Sequence, residues 1–508
     1  MRPCIRAALR TIDLRHIGIL VCILGTSSLF LLTLAPTVQG FDSAEVTVGA
    51  YDLGLIHAPG YPLYMLIGHA FAQVPVGNVG LRLNLMSAVF GVLTVLLLYR
   101  LLFIETGRML VALTASFMFA TAPVFWSQAI RAEVYTLHTF LVVGALSAWL
   151  DAQRHQRAKS YVLCFVLLGL GMGNHLTTAL LWLSILASAD WSSAYWRRLT
   201  IGSTFVGLVV ASACYLYFPW RAAANPRIDY VGSYFGVDLR SLQGLWWLIS
   251  GRMFRCAFYL DLTPPALWRE VLRFARQLWD NSLGIGLILA AWGWPRTRQS
   301  NPRWNRLLSF YLLANLAAFL IYHVVDKEVM FIPAYIVGSI WVADGINRLI
   351  DLAQARLRQP QPMRLHNLIY LGLGVIIVIG AWLSWRSVDL SQNRKVYDLA
   401  VNLVESVEPS TMIVNHWVTA SVFDYLSIVE GRRPDVTNLN LDFFFLAQQG
   451  PCDDRSGASA QQAWFSWLRP SLEQRPLCFV EPLPAIPDGM SWIKQAACWK
   501  AISADGRD

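Results

Sequence analysis

The chain has 508 residues, of which 56% are hydrophobic and only 14% charged, against about 45–50% and about 25% in soluble domains. With a mean hydropathy of +0.45, a purely soluble enzyme and a disordered chain are both excluded. The formal charge of +9 fits either nucleic-acid binding or the loop bias of a membrane protein, and position decides between them.

In chain order, apolar runs of near-spanning length fall at 17–35, 82–103, 107–126, 134–150, 199–218, 279–294, 307–324, 329–347 and 366–385, a helix needing about 17–25 residues to cross hydrocarbon. The stretch 161–189 is too long for one span and carries Gly169, Gly171, Gly173 and Asn174 at its centre. It reads as two short helices meeting at Asn174-His175, which gives about 11 transmembrane helices. Arginine and lysine concentrate in 1–16, 100–108, 151–160, 190–198, 295–306 and 348–365, whereas the short loops opposite hold only Arg131 and Lys327 and segment 36–81 holds none. The positive-inside rule then places the N-terminus in the cytoplasm and the C-terminus in the periplasm. The charge orients the chain and calls for no nucleic-acid partner. The first run, with a long apolar core and no evident cleavage site, reads as a retained anchor.

Residues 1–386 thus form an α-helical polytopic membrane module with outer loops 36–81 and 219–278. Residues 387–508 form a small extracytoplasmic α/β domain, with helical runs at 396–407 and 419–429 and strand-like runs at 412–415, 436–441 and 477–480. Cys256, Cys452, Cys478 and Cys498 all fall outside, where an oxidising periplasm permits disulfides, with three full connectivities open. No Cys/His spacing argues for zinc.

The first outer loop is the most informative stretch. If 43–53 is a short interfacial helix, Asp42 is its N-cap and Glu45 sits at N3, a variant capping arrangement with solvated carboxylates. Alternatively the two form a paired-carboxylate site, one removing a proton from an acceptor hydroxyl and the other orienting the acceptor or binding a divalent cation. His57-Ala58-Pro59-Gly60-Tyr61-Pro62 fixes a turn back to the membrane. Within it His57 reads either as a loop histidine or as a site residue. Arg131, Tyr135 and His138 stand at i, i+4, i+7, with Glu133 among them. Asn174, His175, Arg221 and Asp326 also map to the outer face. Ionisable groups at membrane depth are costly and point to function, and Arg131 or Arg221 suits a phosphate.

The strings Asp42-Ser43-Ala44-Glu45, His57-Ala58-Pro59-Gly60-Tyr61-Pro62-Leu63-Tyr64 and Arg82-Leu83-Asn84-Leu85-Met86-Ser87-Ala88 resemble a bacterial membrane family. It is the protein O-mannosyltransferase-like family known as domain of unknown function 2723. Glu133–His138, Gly173–Thr177, Tyr215–Arg221 and Asp326–Glu328 extend the likeness. The family's usual His-Pro-Pro-Gly stands here as His57-Ala58-Pro59-Gly60, and Asn415-His416-Trp417 replaces a small or acidic turn.

The resemblance implies the glycosyltransferase C (GT-C) architecture, in which polytopic enzymes use polyprenyl-phosphate-linked sugars on the extracytoplasmic face. It implies Asp42 as catalytic base or essential acidic residue, with Glu45 beside it. It also implies His57, Tyr61, Arg131, Glu133, Tyr135, His138, Asn174, His175, Arg221 and Asp326 as the lining of the donor and acceptor cleft. The expected function is transfer of a sugar, mannose by family, in the bacterial inner membrane to a protein, lipid or glycan hydroxyl. The rivals are an O-antigen ligase or polymerase and a transporter built on the broken pair at 161–189.

Overall fold

The computed structural model describes residues 2–257, 263–356, 362–448, 476–482, 490–495 and 498–503. Its helices in chain order are α1 (Arg2–Leu32), α2 (Asp42–Asp52), α3 (Pro62–Ala72), α4 (Val79–Thr106), α5 (Met109–Ala120), α6 (Pro123–Ala129) and α7 (Tyr135–His155). There follow α8 (Ala158–Asn174), α9 (Thr178–Ser188), α10 (Ala194–Tyr215), α11 (Tyr217–Ala223), α12 (Tyr230–Phe235), α13 (Leu242–Ile249) and α14 (Pro264–Asn281). The bundle closes with α15 (Ile285–Ser300), α16 (Pro302–Phe319), α17 (Ile332–Arg356) and α18 (Pro362–Val388).

Among the described residues four helices are long and apolar enough to cross a membrane, at Val79–Thr106, Ala194–Ala223, Lys327–Ala355 and Asn367–Val388. A fifth results if α5 and α6 are one broken span. The chain is therefore a multi-pass membrane protein, its lipid-facing character plainest on α18, where Leu371, Val378, Trp382 and Leu383 are all exposed. The run at 107–126, read from sequence as one crossing, bends by 74° between α5 and α6. Pro123 cannot supply the amide that a continuous helix would need there. The expected break at Asn174-His175 is present: α8 ends at Asn174, His175 is extended, and α9 begins at Thr178.

Close packing within the bundle depends on small residues. A side chain at Gly293 of α15 would meet the Trp341 carbonyl at 1.9 Å, and one at Gly345 of α17 the Leu289 carbonyl at 2.1 Å. The two backbones touch where dispersion, not hydrophobicity, must hold helices together. Arg108 and Arg296 both reach Asp351 of α17, at 2.8 and 2.5 Å, which ties the starts and ends of these helices into one ionic cluster.

Beyond α18 the chain forms α19 (Lys395–Ser406), β1 (Met412–Asn415), α20 (Trp417–Asp424), β2 (Thr437–Asn440), α21 (Leu441–Gln448), β3 (Leu477–Phe479), β4 (Met490–Gln495) and β5 (Cys498–Ser503). The sheet order is β2-β1-β3-β5-β4. The first three strands are parallel and β5 and β4 run antiparallel. The first three strands and helices α19 and α20 match the sequence pattern, whereas α21 was not expected and β4 and β5 carried no clear alternation. Cys478 and Cys498 are bridged across β3 and β5. Cys452 lies outside the described residues.

Candidate active site

Helix α2 begins at Asp42 itself. Its N-cap is Phe41, at φ 57°, and no side chain caps it. The expected capping arrangement does not form, because both carboxylates turn away from the helix amides towards His57. Glu45 is wholly buried. Its Oε1 accepts from the backbone N–H and the Nδ1 of His57, both at 2.9 Å, and its Oε2 accepts from the indole Nε1 of Trp417 at 2.8 Å. With Nδ1 committed, His57 presents Nε2 to the Tyr61 hydroxyl at 3.1 Å and to Asp42 Oδ2 at 3.8 Å. Asp42 keeps 25% of its side chain exposed.

That exposure is to a cavity of about 630 Å³. Its walls include Asp42, His57, Tyr61, Arg131, Glu133, Tyr135, His175 and Asp326. Seven of the ten residues expected to line a cleft, drawn from four separate chain segments, therefore share one cavity. Apolar groups such as Phe41, Pro59, Phe254, Phe319 and Val325 complete it, an amphipathic lining of the kind that holds small-molecule substrates.

Four expected site residues stand elsewhere. Glu45 lies behind His57, off the cavity wall, with both oxygens occupied. His138 lies one layer deeper, its ring nitrogens 3.3 and 3.4 Å from the hydroxyls of Thr177 and Thr178. Helix α7 starts only at Tyr135, so Arg131 is a loop residue and the helical spacing linking it to His138 does not apply. Asn174 donates to the Val134 carbonyl at 3.1 Å and thereby holds the entry to α7. Arg221 donates to the carbonyls of Leu53 and Asp52, at 2.7 and 3.1 Å. There its cation satisfies the orphan C-terminal acceptors of α2 and is not directed at a phosphate.

The electrostatics follow from enclosure. Burial raises the Asp42 carboxyl to about 7; His57 pulls it down, while Glu45 and Asp326 add to the rise. For His57 burial alone would lower the pKa, but the charges of Glu45 and Asp42 and the Glu45 hydrogen bond outweigh it and lift it to about 9. Burial likewise takes Glu133 up to about 8 against the pull of Arg131, whose Nε lies 3.4 Å from Glu133 Oε1. Asp326 is raised by burial in the same way. The cavity therefore holds carboxyls poised near neutrality beside an imidazolium, a set able to accept or return a proton at physiological pH.

Asp42, Glu45 and His57 bring candidate ligand atoms within 4.8 Å of one another. Three N–H donors already occupy the Glu45 oxygens, however, leaving only Asp42 and His57 Nε2 to face a cation. As arranged, these three residues do not form a metal cage.

Trp417 escaped the sequence reading as a site residue. It lies on the cavity wall, 5.0 Å from the His57 ring, and comes from the C-terminal domain. Only the unusual Asn415-His416-Trp417 string hinted at it. Gln128 was also missed; it lines the cavity, and its buried Oε1 has no hydrogen-bond partner among the described residues.

Residues 42–200 match the family model described as protein O-mannosyl-transferase TMEM260 N-terminal domain. Among relatives, the chain is 35% identical over 123 residues to the protein O-mannosyl-transferase TMEM260 of Mus musculus, a match covering 24% of this chain and 17% of that protein. It is 26% identical over 127 residues to its counterpart in Dictyostelium discoideum, covering 24% and 16%. The matched stretch is thus less than a fifth of either relative. Among solved structures, the Archaeoglobus fulgidus oligosaccharyltransferase, in complex with Zn and sulfate, superposes with a TM-score of 0.55 at 16% identity, over 83% of this chain and 62% of that one. ArnT from Cupriavidus metallidurans, bound to undecaprenyl phosphate, gives 0.52 at 12% identity, over 85% and 91%. The fold of these two solved structures is thus shared along most of the chain, and the family-model match to the O-mannosyl-transferase N-terminal domain takes in the segment carrying Asp42.

Proposed function

We propose that this protein is an integral-membrane glycosyltransferase that moves a sugar, mannose by its family likeness, from a polyprenyl-phosphate donor to an acceptor hydroxyl. The observation that carries the reading is Asp42, a carboxyl of near-neutral pKa opening into an amphipathic cavity whose walls also carry Arg131. The acceptor hydroxyl gives its proton to Asp42 as its oxygen attacks the anomeric carbon. The bond from that carbon to the phosphate oxygen breaks, and polyprenyl phosphate leaves with the electron pair, its charge met by Arg131. His57, held as imidazolium, keeps Asp42 ionised between turnovers.

Several finer features belong to the same proposal. They are about eleven crossings, a bacterial inner-membrane setting with cytoplasmic N-terminus and periplasmic C-terminus, and a division near residue 386 into a membrane module and an outer domain. The loop distribution of arginine and lysine supports the orientation. ArnT, which shares the fold, binds undecaprenyl phosphate, in keeping with a lipid-linked donor here.

The test is transfer of labelled sugar from synthetic polyprenyl-phosphate sugars by the purified protein in lipid. Mass spectrometry of envelope glycans and glycoproteins in a deletion strain then identifies the acceptor. No transfer from any polyprenyl-linked sugar, with solute uptake in proteoliposomes instead, would overturn the reading. Two results follow if it holds. Activity is bell-shaped in pH, rising through about 7 as Asp42 ionises and falling through about 9 as His57 loses its proton; a profile flat across that window contradicts the roles given to both. Arg131→Ala weakens transfer roughly 10–100-fold, the loss of one charge-assisted hydrogen bond at about 1.5–3 kcal/mol. A variant with unchanged donor KM and kcat would remove Arg131 from the donor site.

A further inference from the structure

Glu45 and His57 are buried, yet neither is the group placed to take the acceptor proton. Their bonds run on, past α2, into the C-terminal domain. Trp417 opens α20, and its indole N–H fills the Glu45 oxygen that His57 leaves free. The ring stands edge-on to His57 at 5.0 Å, stacks parallel to Phe254 at 6.5 Å and packs edge-on against Phe443 at 4.7 Å.

The seat of α20 is built to fit. The Phe41 amide donates to the Val418 carbonyl at 3.2 Å. Gly40 leaves no room for a side chain there, since a Cβ would lie 2.5 Å from that same oxygen. Gln39 donates to the Asn393 carbonyl at 3.0 Å, and the Gly80 amide donates to the Tyr425 hydroxyl at 3.4 Å. The outer loop joins in, with the Tyr230 hydroxyl donating to Asp424. The chain entering α2, the start of α4 and the loop at Tyr230 are thus clamped to the domain that delivers Trp417.

We propose that Trp417 is a positioning residue of the transfer site, the C-terminal domain completing a relay Trp417–Glu45–His57–Asp42 that fixes His57 with Nε2 towards the acceptor base. The inference rests on the reading of Asp42 as that base. A buried carboxylate oxygen deprived of its N–H donor costs more than the bond was worth. Without the indole, Glu45 turns to find another donor, and the orientation of His57 is lost with it. Displacements of about 1 Å from a supporting residue can cost on the order of 100-fold in rate. The tail is then part of the reacting centre. The titratable groups facing His57 are Asp42 and Glu45 from α2, Tyr61 from the following turn, Glu133 from the loop before α7, Asp326 from the loop after α16 and His175 from the α8–α9 break.

The experiment compares Trp417→Phe, which keeps a ring and removes the N–H, with Trp417→His, which returns a ring N–H. The expected outcome for Trp417→Phe is a fall in kcat of about 10–100-fold with donor KM within about twofold, and an alkaline limb moved from its parental position. Trp417→His recovers part of the loss. Trp417→Phe combined with Glu45→Gln costs little more than Glu45→Gln alone, as members of one network do.

Parental kcat and pH profile in Trp417→Phe, or losses that multiply in the double variant, would overturn the proposal. A second measurement needs no activity: ring ¹⁵N spectra of the parent protein, with His57 assigned through His57→Gln. A hydrogen-bonded Nδ1–H supports the relay, and an unprotonated Nδ1 sinks it. If the parent transfers no sugar, the functional reading fails while the spectrum still decides the relay.

Discussion

Asp42→Asn is expected to reduce sugar transfer about 10²–10⁴-fold, the range for losing an acid–base group, in a protein that still inserts and folds. The substitution keeps size and hydrogen-bonding capacity and removes only basicity. Two neighbouring carboxyls are poorly placed to take over: Glu45 is off the cavity wall with both oxygens occupied, and Glu133 is pushed up to about 8, mostly protonated at neutral pH. Folding should not suffer. Enclosure raises the Asp42 pKa above that of the unfolded chain, so its ionised form, which dominates above about pH 7, opposes folding. A neutral amide removes that opposition, and the melting temperature at pH 8 should hold or rise. Single-turnover transfer and thermal unfolding on the same preparation check both halves. Near-normal transfer would remove Asp42 from the chemistry.

The second large effect concerns the fold. Gly345→Ala places a methyl carbon 2.1 Å from the Leu289 carbonyl, a backbone atom that cannot swing aside. Overpacking a tight contact costs about 1–3 kcal/mol. Here α15 and α17 must separate along their length, so the upper end of that range applies, read as a lower melting temperature and loss of monodisperse protein. Gly338→Ala on the same helix meets nothing within 4 Å and should be neutral or slightly stabilising, because alanine favours helix over glycine by about 1 kcal/mol. Equal behaviour of the two variants would show that the α15–α17 contact does not limit stability.

How much was legible beforehand depended on how far apart in sequence the partners lie. Asp42, Glu45, His57 and Tyr61 fall within twenty residues and contact one another, so their strings announced a site. The break after Asn174 was written in its glycines, β1 in its short apolar run and β2 in the alternation of residues 436–441. The residues that the structure places differently share a cause: each depends on a partner far away in the chain. Glu45 looked like a second catalytic carboxylate because its donor Trp417 is 372 residues distant. Arg221 looked like a phosphate ligand because an arginine bound to backbone carbonyls has no sequence signature, and the carbonyls it binds are 168 and 169 residues away. His138 and Arg131 were joined by helical arithmetic that held only if α7 began four residues earlier.

The cavity wall runs from Phe41 to Trp417, more than twice the extent of the stretch, 42–200, that matches the family model. The matched stretch and the cavity wall are therefore different extents of this chain. A recombinant piece cut to the matched boundaries would carry Asp42, Glu45 and His57 yet lack Phe254, Asp326 and Trp417, and so would have half a vessel and no lid. Swapping the region after α18 between such proteins would exchange Trp417 and part of the cavity wall along with the C-terminal sheet, and chimaeras joined there would have to match Trp417 to the Glu45 of their host.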